Sequence, residues 1–216
     1  APASAVHAFC HVLPKRWHQM SVMLSAASCL QWFCRLVGVT ETALLEEVAQ
    51  LSENERANAP MFLPYLSGER TPHNDPNAKG MFHGLTHASN RATMGYAVLE
   101  GVSFGLADGL RVLQESGTHI KQCSLVGGGA RSPLWAQLLA DVLNMPVVTH
   151  KGGETGGALG AARLACLAAG KDLETVCKKP EIYQTWLARP EQHESLMKRY
   201  THFKSLYLND LHFRNN

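Results

Sequence analysis

The stretch Leu125-Val126-Gly127-Gly128-Gly129-Ala130-Arg131-Ser132 constrains this chain more than any other. Two residues of β type run into three consecutive glycines, and a helical apolar pattern follows at once at Leu134, Leu138, Leu139, Val142 and Leu143. Glycine has no Cβ, so a ligand can lie directly on the main chain. Free N–H groups at a helix start favour negative charge. The pattern therefore predicts a backbone cradle for an anion or a nucleotide. A tight strand-to-helix turn with no ligand has the same pattern.

Two phosphate-binding motifs do not fit. A P-loop requires G-x-x-x-x-G-K-[ST], but the Gly170-Lys171 pair is followed by Asp172. A G-x-G-x-x-G fingerprint begun at Gly127 and Gly129 needs its third glycine where Ser132 stands. A second cluster, Gly152-Gly153-Glu154-Thr155-Gly156-Gly157-Ala158-Leu159-Gly160-Ala161-Ala162, follows about one βα unit later. Thr155 reads as the cap of a helix whose first turns carry only small side chains. Such a helix can approach a backbone or a flat ligand closely, and plain helix–sheet packing explains it as well. Ligands of open α/β sheets sit at the carboxyl ends of strands, where both clusters are expected.

Composition narrows the class. With 216 residues, 45% hydrophobic and 18% charged, the chain can build one good core, or one domain plus an appendage. A net charge of +2 implies neither nucleic acid nor an anionic membrane as partner, and Lys15-Arg16-Trp17 is too short a basic run to alter that. Six cysteines form no C-x-x-C pair and lie mostly in apolar runs, which suits reduced thiols in a cytoplasmic protein. The start, Ala1-Pro2-Ala3-Ser4-Ala5, shows no targeting pattern and no initiator Met, as in a fragment. Trp17 to Cys34 carries no formal charge, but His18, Gln19, Ser21, Ser25, Ser28 and Gln31 make it a poor membrane span.

Periodicity predicts strands over Val6–Leu13, Met61–Leu66, Ile120–Val126 and Pro146–Thr149. It predicts helices over Gln19–Val37, Thr40–Ser52, Asn90–Ser116, Ser132–Leu143, Thr155–Ala169 and Pro190–Leu208. From Asn90 the order α, β, α, β, α indicates a right-handed parallel unit with helices on the sheet faces. Gly101, Gly105 and Gly109 form one stripe on the long helix. Each costs about 0.8–1 kcal/mol against Ala, so the stripe predicts another backbone packed closely against this helix, with a ligand-facing role as the alternative.

Residues 66–80 form a long loop in which Glu69, Arg70, His73, Asp75 and Lys79 are candidates for a phosphate or sugar. A solvated surface loop is the other reading. No metal site is expected at His7, Cys10 and His11, because His7 and His11 share a strand face that Cys10 opposes. His83 and His87 are four apart, but Gly84 and Thr86 argue against a helix. Glu100, Asp108, Asp141 and Glu154 are candidate acids that read mostly as helix-surface charges, and no general base stands out.

Four segments in order resemble the FGGY carbohydrate kinases: Pro64 to Pro72, Gly80 to Leu85, Leu125 to Ala130, and Gly156 to Ala162. The similarity spans nearly all 216 residues and is strongest to the xylulokinase branch of that family. One departure is Thr93, which stands where the family signature has a His, an acid or an amide, so no catalytic role falls there.

The resemblance implies a ribonuclease-H-like, actin-like ATPase fold of the α/β class: a mixed sheet flanked by helices, with extra helices. Residues 1–216 would form a single C-terminal, nucleotide-binding domain. A sugar-binding domain carrying the catalytic Asp would lie upstream. ATP would be the donor, with Mg²⁺ in the intact enzyme, and a pentulose the acceptor. Gly127, Gly128, Gly129, Ala130 and Ser132 would hold ATP or ADP, Gly156 and Gly157 would frame the pocket, and Glu69 and Arg70 are substrate-loop candidates. Some relatives contact adenine through an Asn soon after the turn; Pro133 sits near that place here, leaving backbone contacts. Catalytic residues and metal ligands are expected outside this chain, and the chain alone is expected to lack significant kinase activity. Ribulose, gluconate, fuculose or glycerol are alternative acceptors. A non-catalytic module that forms a homodimer, or docks a partner through an apolar face, is the alternative of another class.

Overall fold

The computed structural model describes residues 5–215, apart from the Glu154 side chain. The expectations for the Ala1–Ser4 stretch and for the Glu154 carboxylate lie outside the described residues. In chain order the elements are β1 (His7–Cys10), β2 (Trp17–Met20), α1 (Ala27–Val37), α2 (Glu41–Ala49), α3 (Glu53–Ala57), β3 (Met61–Leu63), β4 (Met81–His83), α4 (Arg91–Glu115), β5 (Cys123–Ser124), α5 (Pro133–Leu143), β6 (Val147–His150), α6 (Gly157–Ala168), α7 (Leu173–Val176), β7 (Ile182–Trp186) and α8 (Pro190–Arg214). They gather into two compact units. The first runs to Ile120 and resumes at Pro190; the second is Lys121–Arg189.

In the first unit the helix ends follow the sequence. Thr40 caps α2 by accepting from Ala43 N, and Gly38 ends α1 at φ +71°. Ser52 and Glu55 form a capping box for α3, a helix not expected although the S-x-x-E spacing signals it. Asn90 and Thr93 form another at α4, which gives the Thr93 hydroxyl a structural task.

The core of this unit is built on α4. Its Val98, Leu99, Val102 and Phe104 are buried together with Phe33 of α1, Leu44 and Val48 of α2, Phe62 and Leu63 of β3, and Phe203 of α8. The glycine stripe packs closely, as expected, and its backbone neighbour is strand β3. A Cβ on Gly101 would lie 2.1 Å from the Phe62 carbonyl oxygen of β3. One on Gly105 would lie 2.7 Å from Met23 Cε, and one on Gly109 2.7 Å from Ser21 Oγ.

Those neighbours explain a correction. Helix was expected from Gln19, yet Trp17–Met20 is a strand paired with β1, and α1 begins only at Ala27. The stretch between is not helical because its backbone donors are engaged elsewhere. Val22 N donates to Thr71 Oγ1 (2.9 Å) and Leu24 N to Glu69 Oε1 (3.1 Å). Strand β1 likewise ends at Cys10, short of the expected Leu13. Strand β4 was also unexpected; it pairs with β3 through Phe62 and Phe82.

In the second unit, β5 and β6 run parallel and β7 adds antiparallel to β6, giving a mixed sheet in the order β5-β6-β7. β7 was not expected. Helix α5 buries Trp135, Ala136, Leu138, Leu139 and Val142 and ends at Asn144, a left-handed residue at φ +50°.

The candidate acids are not surface charges. Glu100, Asp108 and Asp141 are each no more than 2% exposed. Glu100 is gripped by Arg199 through two 2.7 Å contacts, Asp108 accepts from Tyr200 Oη at 2.5 Å, and Asp141 pairs with Arg189 at 2.6 Å. A charge this deep persists only when paired. No helix is long and apolar enough to cross a membrane among the described residues.

Candidate functional site

Because β5 and β6 are parallel, their carboxyl ends lie side by side, and each leads into one of the glycine clusters. Leu125 N donates to Val148 O (2.8 Å), carrying the ladder one step past β5. The chain then breaks at Gly127, with φ +80° and ψ −164°, a conformation essentially restricted to glycine. Residues Gly128–Arg131 make a 3-10 turn, and Ser132 caps α5 by accepting from Trp135 N at 3.2 Å. Pro133 occupies the first helical position, where no N–H is needed.

The second cluster is joined to the first. Gly127 N donates to Gly153 O at 3.2 Å. Gly152 (φ +71°) and Gly156 (φ +47°) flank a 3-10 turn over Gly153–Thr155. Thr155 is not the expected helix cap: its hydroxyl donates to Gly152 O at 2.6 Å, and Gly156 is the N-cap of α6. Among the described residues nothing packs on the small side chains at the start of α6: a Cβ on Gly157 or Gly160 would meet nothing within 4 Å.

The glycine surface is therefore open. Gly127 and Gly128 would also meet nothing within 4 Å, and Gly129 only the Trp135 ring at 3.8 Å. The first N–H groups of a 3-10 turn have no partner within it, which leaves those of Gly128 and Gly129 free of the turn's own bonding. Ser132, by contrast, is buried and its oxygen is engaged in capping.

Beside the turn is a cavity of 320 Å³ lined by Ala130, Arg131, Pro133, Thr149, His150 and the β7 residues Tyr183, Gln184 and Trp186. The His150 Nε2 atom lies 2.9 Å from Ser124 Oγ, which fixes the ring. Thr149 Oγ1 and His150 Nδ1 are buried with no hydrogen-bond partner. Sequence reasoning missed this wall because it missed β7. The alternation Ile182-Tyr183-Gln184-Thr185-Trp186 before Pro190 was the available signal.

Glu69 and Arg70 belong to the first unit, and their loop is an ordered one. Glu69 and Asp75 exchange two backbone hydrogen bonds, of 2.9 and 2.8 Å. Glu69 is 2% exposed, and its Oε1 accepts from Leu24 N and Arg70 N. Burial pushes its carboxyl up to about 7. His73 stacks on Tyr207 with ring centres 3.6 Å apart, and burial drives its imidazole down to about 4. Asp75 accepts from Tyr207 Oη and Arg214. Only Arg70 and Lys79 of the five candidates have exposed side chains. The Glu69 carboxyl ties main-chain segments together.

The chain matches the C-terminal domain of the FGGY family of carbohydrate kinases over residues 1–169. It belongs to that family. It is 47% identical over 208 residues to the xylulose kinase of Escherichia coli (strain K12), covering 95% of this chain and 43% of that protein. It is 52% identical over 167 residues to the xylulose kinase of Klebsiella pneumoniae, covering 77% and 34%. Among solved structures it is similar to a xyloylose kinase from Brucella ovis, with TM-score 0.87, 43% identity, and coverage of 98% of this chain and 43% of that one. The xylulose kinase of Rhodospirillum rubrum gives TM-score 0.81 at 27% identity, again covering 98% and 43%. The FGGY chain thus spans less than half the length of these relatives. Its mixed helix-and-sheet architecture is the actin-like ATPase fold of the FGGY sugar kinases.

Proposed function

We propose that this chain is the C-terminal, nucleotide-binding domain of an ATP-dependent xylulokinase, in which ATP and D-xylulose give ADP and D-xylulose 5-phosphate. The observation that carries the reading is the Gly127 N–H to Gly153 O bond. It unites two glycine clusters into one open backbone surface at the ends of parallel strands. The names of the xylulose kinase relatives support the choice of sugar.

In this reading Gly127, Gly128, Gly129 and Ala130 carry the adenosine and its phosphates, and Gly156 and Gly157 frame them. Ser132 acts by holding the start of α5 against the turn. Phosphoryl transfer depends on positioning and charge neutralisation, and the neutralising ion and the base that deprotonates the sugar are assigned outside this chain. Among the described residues no group of three or more His, Cys, Asp or Glu side chains forms a metal site. Closure of a sugar-binding domain over the glycine surface would exclude water and limit hydrolysis. The reading carries a cytoplasmic location with it.

An amide NMR titration of the chain with Mg·ADP tests this. Shifts confined to Gly127–Ala130 and the Gly156 region are expected, with no xylulose-dependent ADP release by the pure chain. Saturating ADP without shifts there would remove the nucleotide from this surface and favour an interaction module.

A further inference from the structure

Two thiols of the second unit meet at one helix contact. Helix α6 is exposed over most of its length, and its half-buried residues are Arg163, Cys166 and Leu167, which the spacing places on one face. The chain folds back over that face. Gly170 turns it at φ +81°, Lys171 N donates to Cys166 O at 3.0 Å, and Arg163 Nη2 donates to Lys178 O at 3.0 Å. Cys166 follows Arg163 by less than one turn, a rise of about 4.5 Å, and Cys177 directly precedes Lys178. The Arg163 bond therefore holds Cys177 beside the face that carries Cys166.

The other four cysteines lack this arrangement. Cys29 and Cys34 are buried, and burial pushes the Cys29 thiol up to about 12 and raises that of Cys34. Burial also raises the Cys123 thiol. Cys10 is exposed, but the β1–β2 hairpin holds no second cysteine. Cys177 is exposed and Cys166 half-buried, both as free thiols, and the exposed Lys178 and Lys179 follow Cys177. Exposed thiols among positive charges are the ones that react. Helix α7 is a single turn, Leu173–Val176, short enough to adjust as a bond forms.

We propose that Cys166 and Cys177 are a reversible dithiol, oxidised by a low-molecular-weight disulfide to a bond that latches α7 onto α6. The Cys177 thiolate attacks one sulfur of glutathione disulfide, whose S–S bond breaks. One glutathione leaves as a thiolate and takes up the Cys177 proton. The Cys166 thiolate then attacks Cys177 Sγ and displaces the second glutathione, which takes up the Cys166 proton. Two protein thiols are oxidised and one glutathione disulfide is reduced to two glutathiones. The second step is intramolecular, so its equilibrium is set by the effective concentration of one thiol at the other. A bond of this kind in a reducing compartment is transient and responds to redox state. It would fix the far end of the helix that begins at Gly157, in the second glycine cluster.

The test equilibrates the 216-residue chain in glutathione redox buffers, quenches with acid and reads tryptic peptides by mass spectrometry. Cleavage after Arg163, Lys171 and Lys178 puts the two cysteines in separate peptides, Leu164–Lys171 and Asp172–Lys178. The disulfide appears as these peptides joined, two hydrogen atoms lighter than their sum. The joined pair should form in the folded chain with an equilibrium constant at least about tenfold above that of the same chain unfolded in urea. Dithiothreitol should reverse it. Arg163→Ala, which releases the Lys178 carbonyl, should lose most of the folded chain's advantage. A constant no larger in the folded chain than in urea would show that the fold does not bring the thiols together, and the proposal would fall. It would fall as well if both cysteines ended as mixed disulfides with glutathione and no joined peptides formed, or if Arg163→Ala matched the parent chain.

Discussion

Gly128→Ala separates what the fold needs from what a ligand needs. A Cβ at 128 meets nothing within 4 Å, and Gly128 is not among the positive-φ glycines. The folded chain can accept the methyl group, and the unfolded chain loses backbone freedom, a change of about 0.4–1 kcal/mol in favour of folding. Gly127 also faces open space, but its φ of +80° and ψ of −164° put an alanine where L-residues rarely go, a cost of about 1–3 kcal/mol. On the ligand side the two glycines should behave alike. A phosphate or ribose resting on the main chain is displaced by a new methyl, and a tenfold weaker complex corresponds to only about 1.4 kcal/mol. The assay is thermal unfolding paired with Mg·ADP titration of the same samples. Gly128→Ala should melt no lower than the parent chain and up to about 4 °C higher, since 1 kcal/mol moves a midpoint by about 2–4 °C at this size. It should bind Mg·ADP at least about tenfold more weakly. Gly127→Ala should lose binding too, and melt several degrees lower. Wild-type affinity in Gly128→Ala would refute the placement of the nucleotide on this backbone.

Other expectations concern the first unit. Gly101→Ala should destabilise by about 3 kcal/mol or more, because its Cβ meets a backbone carbonyl at 2.1 Å. Gly105→Ala, facing the mobile end of Met23, should stay within about 1 kcal/mol of the parent in urea denaturation; equal effects at both positions would contradict the packing described. Arg199→Ala strands the buried Glu100 carboxylate and should cost about 3–5 kcal/mol near neutral pH. Burial pushes the Glu100 carboxyl up against the pull of Arg199, so the deficit should shrink in acid as Glu100 takes a proton. The Glu69 carboxyl, raised from 4.5 to about 7, favours the folded state when protonated. Its contribution is fully present below pH 4.5 and falls as pH rises through about 7, by no more than about 3 kcal/mol. Glu69→Gln should flatten that part of the stability–pH curve, and an unchanged slope would assign it to other groups.

What the sequence made legible was local. The glycine turn, the helix starts at Asn90 and Ser132 and the left-handed Gly38 are determined by residues within a few positions of one another. What it hid was distant. Trp17–Met20 has a helix-compatible composition, but β1 pairs with it and the Thr71 and Glu69 side chains claim the donors that follow. The acids on α4 look solvated in a helical wheel; their partners stand 99 and 92 residues away on α8. The candidate site divides the same way. Its glycine turns can be read from the chain, whereas the Thr149–His150 wall depends on a strand pairing and a register shift that periodicity does not encode.

The connectivity of the two units has a consequence for any attempt to cut this protein. The second unit is inserted into the first: the chain leaves at Ile120 and comes back at Pro190. A single protease nick near either crossing leaves the other crossing intact, so the second unit stays covalently joined to one part of the first. A stop codon behaves differently. The match to the FGGY C-terminal domain ends at residue 169, yet a chain shortened to that point would keep the glycine platform and lose Arg199, Tyr200 and Phe203. The lesion would then be felt in the first unit, as an uncapped core and a bare Glu100 charge. A trimmed chain chosen by family boundaries would therefore precipitate for reasons unconnected with the residues it was designed to retain.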